Sequence, residues 1–113
     1  MLKEKNLINV AEDFSDEPFG RYPEDGPYNA TTFRDDHLIP ALKKLSGEEK
    51  LTIDFTGVPG LGSSFMEEVF GGLIRAGFDP EYINSIIIYK FPLAFYEIQA
   101  KKFMAMAKNN QKD

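Results

Sequence analysis

The run Ser85-Ile-Ile-Ile-Tyr89 constrains the fold of this chain more than any other stretch. Three consecutive β-branched residues closed by an aromatic favour extended backbone, because their stiff side chains pack well on a pleated surface. Apolar residues at successive rather than alternate positions mark a strand covered on both faces, the usual situation in parallel sheets joined by helical crossovers. The run is therefore expected to be a central strand. Leu51-Thr-Ile-Asp-Phe55 alternates apolar and polar residues and reads as a second strand, and the short run Leu7-Ile-Asn-Val10 as a third.

Helical spacing fills the intervals. Thr31 or Thr32 caps an expected helix running to about Leu45, with Phe33, Leu38, Leu42 and Leu45 on one stripe and Pro40 inside the pattern, where it must kink or delay the helix. A second helix spans Ser63 to about Ala76, with Phe65, Met66, Val69, Phe70, Leu73 and Ile74 on one face. Its Gly71-Gly72 pair costs about 1 kcal/mol per glycine relative to alanine, which points to close packing against another backbone. The last helix covers about Pro92 to Asn109. One of its stripes holds Leu93, Tyr96, Ala100, Phe103 and Ala107, while Phe91, Phe95, Ile98 and Met106 point the opposite way, toward another helix or a docking or dimer surface. Residues 11–31 are acidic, rich in Pro, Gly and Tyr, and aperiodic. They are expected to form one long loop with a short hairpin, anchored by Phe14, Phe19 and Tyr28.

This order of elements favours helices packed on a mixed or parallel sheet, an α/β fold. At 113 residues the chain is expected to form one domain, with its core over about residues 19–108. A net charge of −5 has the wrong sign for a general phosphate-backbone binder, so nucleic acid is not an expected partner. With no cysteine and a single histidine, His37, neither a thiol nucleophile nor a multi-histidine metal centre can be built, and no metal or cofactor is expected. The polar N-terminus and the lack of a long apolar stretch lead to the expectation of a soluble, cytoplasmic protein without membrane contact.

The most informative stretch chemically is Asp54 to Glu68, a strand leading through Gly57, Gly60 and Gly62 into a helix that opens with Ser63-Ser64. Such an element aims backbone amides and a partial positive charge at whatever sits on the serines. Gly57, Gly62 and Ser64 stand at phosphate-loop spacing, but Ser63 occupies the lysine position, and Glu67 and Glu68 in the first turn oppose a polyphosphate. Ser64-Phe-Met-Glu67 also fits a capping box, which would leave Ser63 just outside the helix with its hydroxyl toward solvent. Asp54 reads as a cap of the turn that follows it. His37 has no partners for a catalytic triad and reads as a helix-surface histidine. Arg21 and Arg34 would line a small anionic site if the long loop folds back on the helix.

Leu51-Thr-Ile-Asp-Phe-Thr-Gly-Val and Gly62-Ser-Ser-Phe resemble the strand-to-helix signature of STAS domains, the fold of bacterial anti-sigma-factor antagonists. The chain is more closely similar to the STAS-like family of unknown function, through Gly20-Arg-Tyr22, Gly26-Pro27, Phe33-Arg34, Leu38-Ile-Pro-Ala-Leu42 and the block from Ser63 to Leu73. The resemblance implies a STAS-like mixed sheet packed by helices and a non-enzymatic regulatory domain whose Asp54, glycine loop, Ser63, Ser64 and Glu67 meet a protein partner. It further implies a histidine-kinase-like ATPase as that partner and Ser63 as a phosphoacceptor, with Ser64 beside it. Gly62 stands where the antagonists carry aspartate, and Phe65 where they carry glycine. Three other readings of the residues stay open: a small anionic ligand or nucleotide sensor using Arg21 and Arg34, a hydrolase, which would need a general base near Ser63 or Asp54 and has only the imidazole of His37, and a homodimer through the C-terminal helix.

Overall fold

A computed structural model describes residues 6–111. Strand β1 (Leu7–Asn9) runs directly into a one-turn helix, α1 (Val10–Asp13), because Asn9 caps it by accepting the Glu12 amide. Helix α2 (30–43), strand β2 (Leu51–Asp54), helix α3 (63–75), helix α4 (Pro80–Ile86), strand β3 (Ile87–Lys90) and helix α5 (Ala94–Asn110) follow. The strand order is β1-β2-β3, and both pairings are parallel, so the α/β class stands with a sheet that is parallel throughout its described strands.

The register places Ile8, Ile53 and Tyr89 side by side, with Leu51 beside Ile87, and this face carries the core. Ile53, Phe55, Phe33, Phe65 and Phe70 are all fully buried there, each burial contributing about 1.5–3 kcal/mol. The rings of Phe33 on α2, Phe55 after β2 and Phe65 on α3 meet at about 6 Å, which ties both helices to the same side of the sheet. Helix α5 packs across α3 and α4.

Three expectations are corrected. β3 is an edge strand, shorter than the apolar run: Ser85 and Ile86 belong to α4, and Ile88 is 46% exposed. Asp79-Pro80 is the reason, since proline at the first helical position starts α4 and its hydrogen-bonded turns take up the first residues of the run. The cap of α2 is Asn29, whose Oδ1 accepts the Thr32 amide at 2.9 Å, while Thr31 uses its hydroxyl on the Arg21 carbonyl. Pro40 does not delay that helix, which runs through it. The preceding residues, Arg34–Leu38, widen into a π-turn in which the Ile39 amide reaches the Arg34 carbonyl, and the looser turn accommodates the proline ring.

The long segment before α2 holds no strand hairpin. Its two ends are closed by three backbone bonds, Phe19 N–H to Tyr28, Ala30 N–H to Gly20 and Thr31 N–H to Arg21, around a short 3-10 turn (Pro23–Asp25). Gly20 adopts φ +85°, and a side chain there would collide with Asp25, whose carboxylate accepts the Arg21 and Tyr22 amides. Phe14 anchors the segment by packing on Phe33 and edge-on to Tyr28, whereas the Phe19 ring is exposed and that residue contributes only its backbone bond.

Candidate functional site

The carboxyl ends of the strands of an open parallel sheet are where such folds place their sites. Here the β2–α3 connection crosses that end. Asp54 closes β2 by accepting both the Thr56 amide (2.9 Å) and the Thr56 hydroxyl (2.6 Å), the turn cap expected of it. Val58 and Leu61 are buried and pin the loop, Gly57 sits against Ala11 of α1, and Gly60 and Gly62 face open space.

Gly62 is the residue that precedes α3, so Ser63 and Ser64 are its first two helical positions. Both are exposed, and neither hydroxyl has a hydrogen-bond partner among the described residues. The capping box is therefore corrected: Ser64 lies one place inside the helix, and the Glu67 carboxylate is turned away from it by two arginines. Ser63 keeps its solvent-facing hydroxyl, now at a helix start whose first amides lack intrahelical acceptors.

Those arginines belong to a cluster that joins the long loop, α2 and α3. Arg21 donates to Glu67 Oε1 at 2.6 Å and to Glu68 Oε1 at 3.3 Å. Arg75 donates to Glu67 Oε2 at 2.7 Å. Arg34, largely buried, donates through one nitrogen to the Glu68 backbone carbonyl (2.9 Å) and to its carboxylate (2.8 Å), and through Nε to Asp35 (2.9 Å). The hydrogen bonds from Arg75, together with those from Arg21, hold the Glu67 carboxyl below its ordinary range. The loop does fold back, so Arg21 and Arg34 come together as the anionic-site reading required. Their charges, however, are matched by Glu67, Glu68 and Asp35, so the pair offers no uncompensated charge to an anion.

The glycine pair of α3 serves this cluster and no neighbouring backbone. A side chain at residue 72 would occupy the place of the Arg34 guanidinium, and one at 71 would meet Glu67 and Arg75. Glu68 and Arg75 were missed as members from sequence. The available signal was a glutamate falling on the buried face of an otherwise apolar helix one turn before two glycines.

Tyr96, near the start of α5, ties that helix to the same loop through its hydroxyl, which accepts the Leu61 amide at 3.4 Å. Around it Leu93, Phe95 and Ile98 are 60%, 59% and 67% exposed, and Met106 continues the exposed stripe. The outward assignment of Phe95, Ile98 and Met106 thus holds. Leu93 and Phe91 exchange roles, because the helix begins only at Ala94. Phe91, still in the extension of β3, stacks on Phe55 at 4.8 Å, and the core side of α5 is Ala100, Met104 and Ala107.

His37 is half-buried against the rings of Phe14 (5.3 Å) and Phe33 (6.2 Å), more packed than a surface histidine. It borders a cavity of about 340 Å³ with Asp36, Pro40, Lys44 and Leu51. Among the described residues no group of three or more acidic or histidine side chains is placed to hold a metal ion, and no helix is long and apolar enough to cross a membrane.

Residues 29–91, more than half of the chain, match the family described as a STAS-like domain of unknown function. The chain belongs to that family. No curated protein matches it, nor does any solved structure. β1, the Arg21 loop and α5 lie outside the matched span.

Proposed function

With membership of the STAS-like family as the premise, we propose that this chain is a non-enzymatic regulatory domain that works by binding another protein. The binding surface is the loop from Asp54 through Gly57, Gly60 and Gly62 to Ser63 and Ser64, extended by the start of α5. One observation supports this reading above the rest. The unpartnered Ser63 hydroxyl stands at a helix start two residues after the buried Leu61, whose amide is bound by Tyr96 of α5, and close to Tyr96 along the chain Leu93 and Phe95 are exposed. Exposed apolar groups gathered beside polar ones are what a protein-binding surface needs.

Modification of Ser63 is the control we assign to this surface. A phosphate there would gain from the free amides of the first turn of α3. Glu67, which would repel it, is already neutralised by Arg21 and Arg75. By likeness to the anti-sigma-factor antagonists, the partner is a histidine-kinase-like ATPase. The homodimer through α5 is the second reading, favoured by the same exposed Phe95 and Ile98.

The test is intact mass with site mapping on protein isolated from its native cells, together with cross-linked co-purification from the same lysate. Phosphate on Ser63 with a co-purifying ATPase supports the switch. A reproducible protein partner on an unmodified chain removes the switch and keeps the binding domain, and the absence of both overturns the reading.

A further inference from the structure

The cavity of about 340 Å³ that His37 borders lies between the start of β1 and α2, at the end of the sheet opposite the Ser63 loop. Ile8 and Leu51, both buried, form its apolar floor. Asn6, Asp36, His37 and Lys44 supply its polar lining, and none of their side chains makes a hydrogen bond or ion pair among the described residues. That sets the cavity apart from the cluster around Arg34, whose charges are matched by partners.

Charge limits the class of ligand. Asp36 and Lys44 line the same cavity without pairing with each other. An anion drawn by Lys44 would also meet Asp36, and a cation drawn by Asp36 would also meet Lys44. A molecule with an ammonium group at one end and a carboxylate at the other gains from both. The two residues stand about 12 Å apart along the helix. Two extended residues span about 7 Å, and a charge-assisted hydrogen bond of about 2.8 Å at each end brings their reach to roughly 12 Å. A single amino acid, with both charges on one carbon, falls short by about 3.5 Å. Spread over that length, the cavity is a channel roughly 6 Å across, which admits an extended chain and excludes a helix about 10 Å wide.

The edge of the sheet supplies further bonds. β1 is an outer strand, and the Thr52 amide bonds the Asn6 carbonyl, so Asn6 and Ile8 face β2 while the N–H and C=O of Leu7 turn toward the free edge. Leu7 borders the cavity, and an extended backbone lying there can pair with it as an added strand does. We propose that this cavity binds a dipeptide in extended form, its ammonium on Asp36, its carboxylate on Lys44, its peptide group along Leu7 and an apolar side chain over Ile8 and Leu51. The Ser63 loop lies at the other end of the strands, so the two sites stand or fall independently.

Ala-Leu with free termini, titrated into the purified full chain and followed by the backbone amide signals, tests this. Saturable shifts are expected at Asn6, Leu7, His37 and Lys44, with Ser63 and Ser64 unmoved. Acetylating the amino end or amidating the carboxyl end should each weaken binding about tenfold. In Asp36→Asn the penalty for acetylation should disappear, and in Lys44→Gln the penalty for amidation, because each variant removes the one charge that the blocked end would have met. Both residues are exposed, so the variants should keep the far-ultraviolet circular dichroism of the wild type. The absence of saturable shifts, shifts confined to other regions, equal binding of free leucine, or blocking penalties that persist in the matching variants overturns the proposal.

Discussion

The Arg34 guanidinium lies in the space that a side chain at residue 72 would fill, and it uses that position to bond the carbonyl and the carboxylate of Glu68. A glycine pair that weakens α3 as a helix is thus what lets two helices share a nearly buried ion pair. Removing one partner of such a pair is costly because the other charge is left behind in a poorly solvated place.

Gly72→Ala is expected to lower stability by about 1–3 kcal/mol, the loss at the Arg34–Glu68 pair exceeding the gain of about 1 kcal/mol in helix propensity. In an Arg34→Ala background the same substitution should be neutral or stabilising by up to about 1 kcal/mol. Urea unfolding of the four proteins measures the coupling. Additive effects would mean that Arg34 does not depend on the absent side chain.

Glu67 carries a pH dependence of known sign. Its folded-state pKa is lowered, first by Arg75 and then by Arg21, from an ordinary value of 4.5. The stabilisation is therefore fully present above the unfolded value and is lost as the pH falls below it, through the lowered folded value. Thermal melts from pH 7 downward should show the wild type losing more stability below about pH 4.5 than Glu67→Gln does, with the variant already less stable at pH 7. Parallel curves would exclude Glu67 as a source of the acid sensitivity.

Arg21 is the only side chain of the long loop that reaches α3 through an ion pair among the described residues. Its side chain is partly exposed, so Arg21→Ala should cost no more than about 1 kcal/mol globally. Locally the effect should be larger: the Ala30 and Thr31 amides, which bond Gly20 and Arg21, should exchange faster with solvent deuterium while those of β2 stay protected. Unchanged exchange at those two amides would show that the backbone bonds alone hold the loop.

Phe95→Glu combined with Ile98→Glu changes two exposed side chains, so folding stability should stay within about 0.5 kcal/mol per site. If α5 is part of the partner surface, the same variant should lose the co-purifying partner. If the surface joins two copies, light scattering should show the wild type above the monomer mass and the variant at it. A variant that retains its partner and an unchanged mass would place the interface elsewhere.

Asp54→Ala removes the acceptor of two hydrogen bonds from Thr56 and should cost about 1 kcal/mol, with Asp54→Asn retaining most of the stability because its side-chain oxygen can still accept. Denaturant midpoints compare them. Equal losses for both would show that the charge, rather than the turn geometry, is what residue 54 contributes.

The local patterns were legible in the sequence because they depend on neighbours along the chain. The alternation of Leu51 to Phe55, the three-and-four spacing from Phe65 to Ile74 and the turn cap at Asp54 are each set within a few residues, and each is found where its residues place it. The start of α3 could be placed only to within one residue, since Gly62, Ser63 and Ser64 are all competent to begin a helix and a capping box with Glu67 satisfied the local rule.

Contacts between distant segments decided the rest. Glu67 is drawn from that capping role by Arg21, 46 residues away, and by Arg75, neither of which is visible from Ser64 along the sequence. Three isoleucines and a tyrosine promised a strand covered on both faces. Yet how many faces of a sheet are covered depends on which elements lie beside it, and here β3 ends the sheet with α2 and α3 gathered on one side. Which segments extend, which coil and where the serines stand follow from residues close together along the chain. That the arginines are paired, that Gly72 makes room for one of them and that one face of the sheet is left open are properties of surfaces brought together from separate parts of the chain.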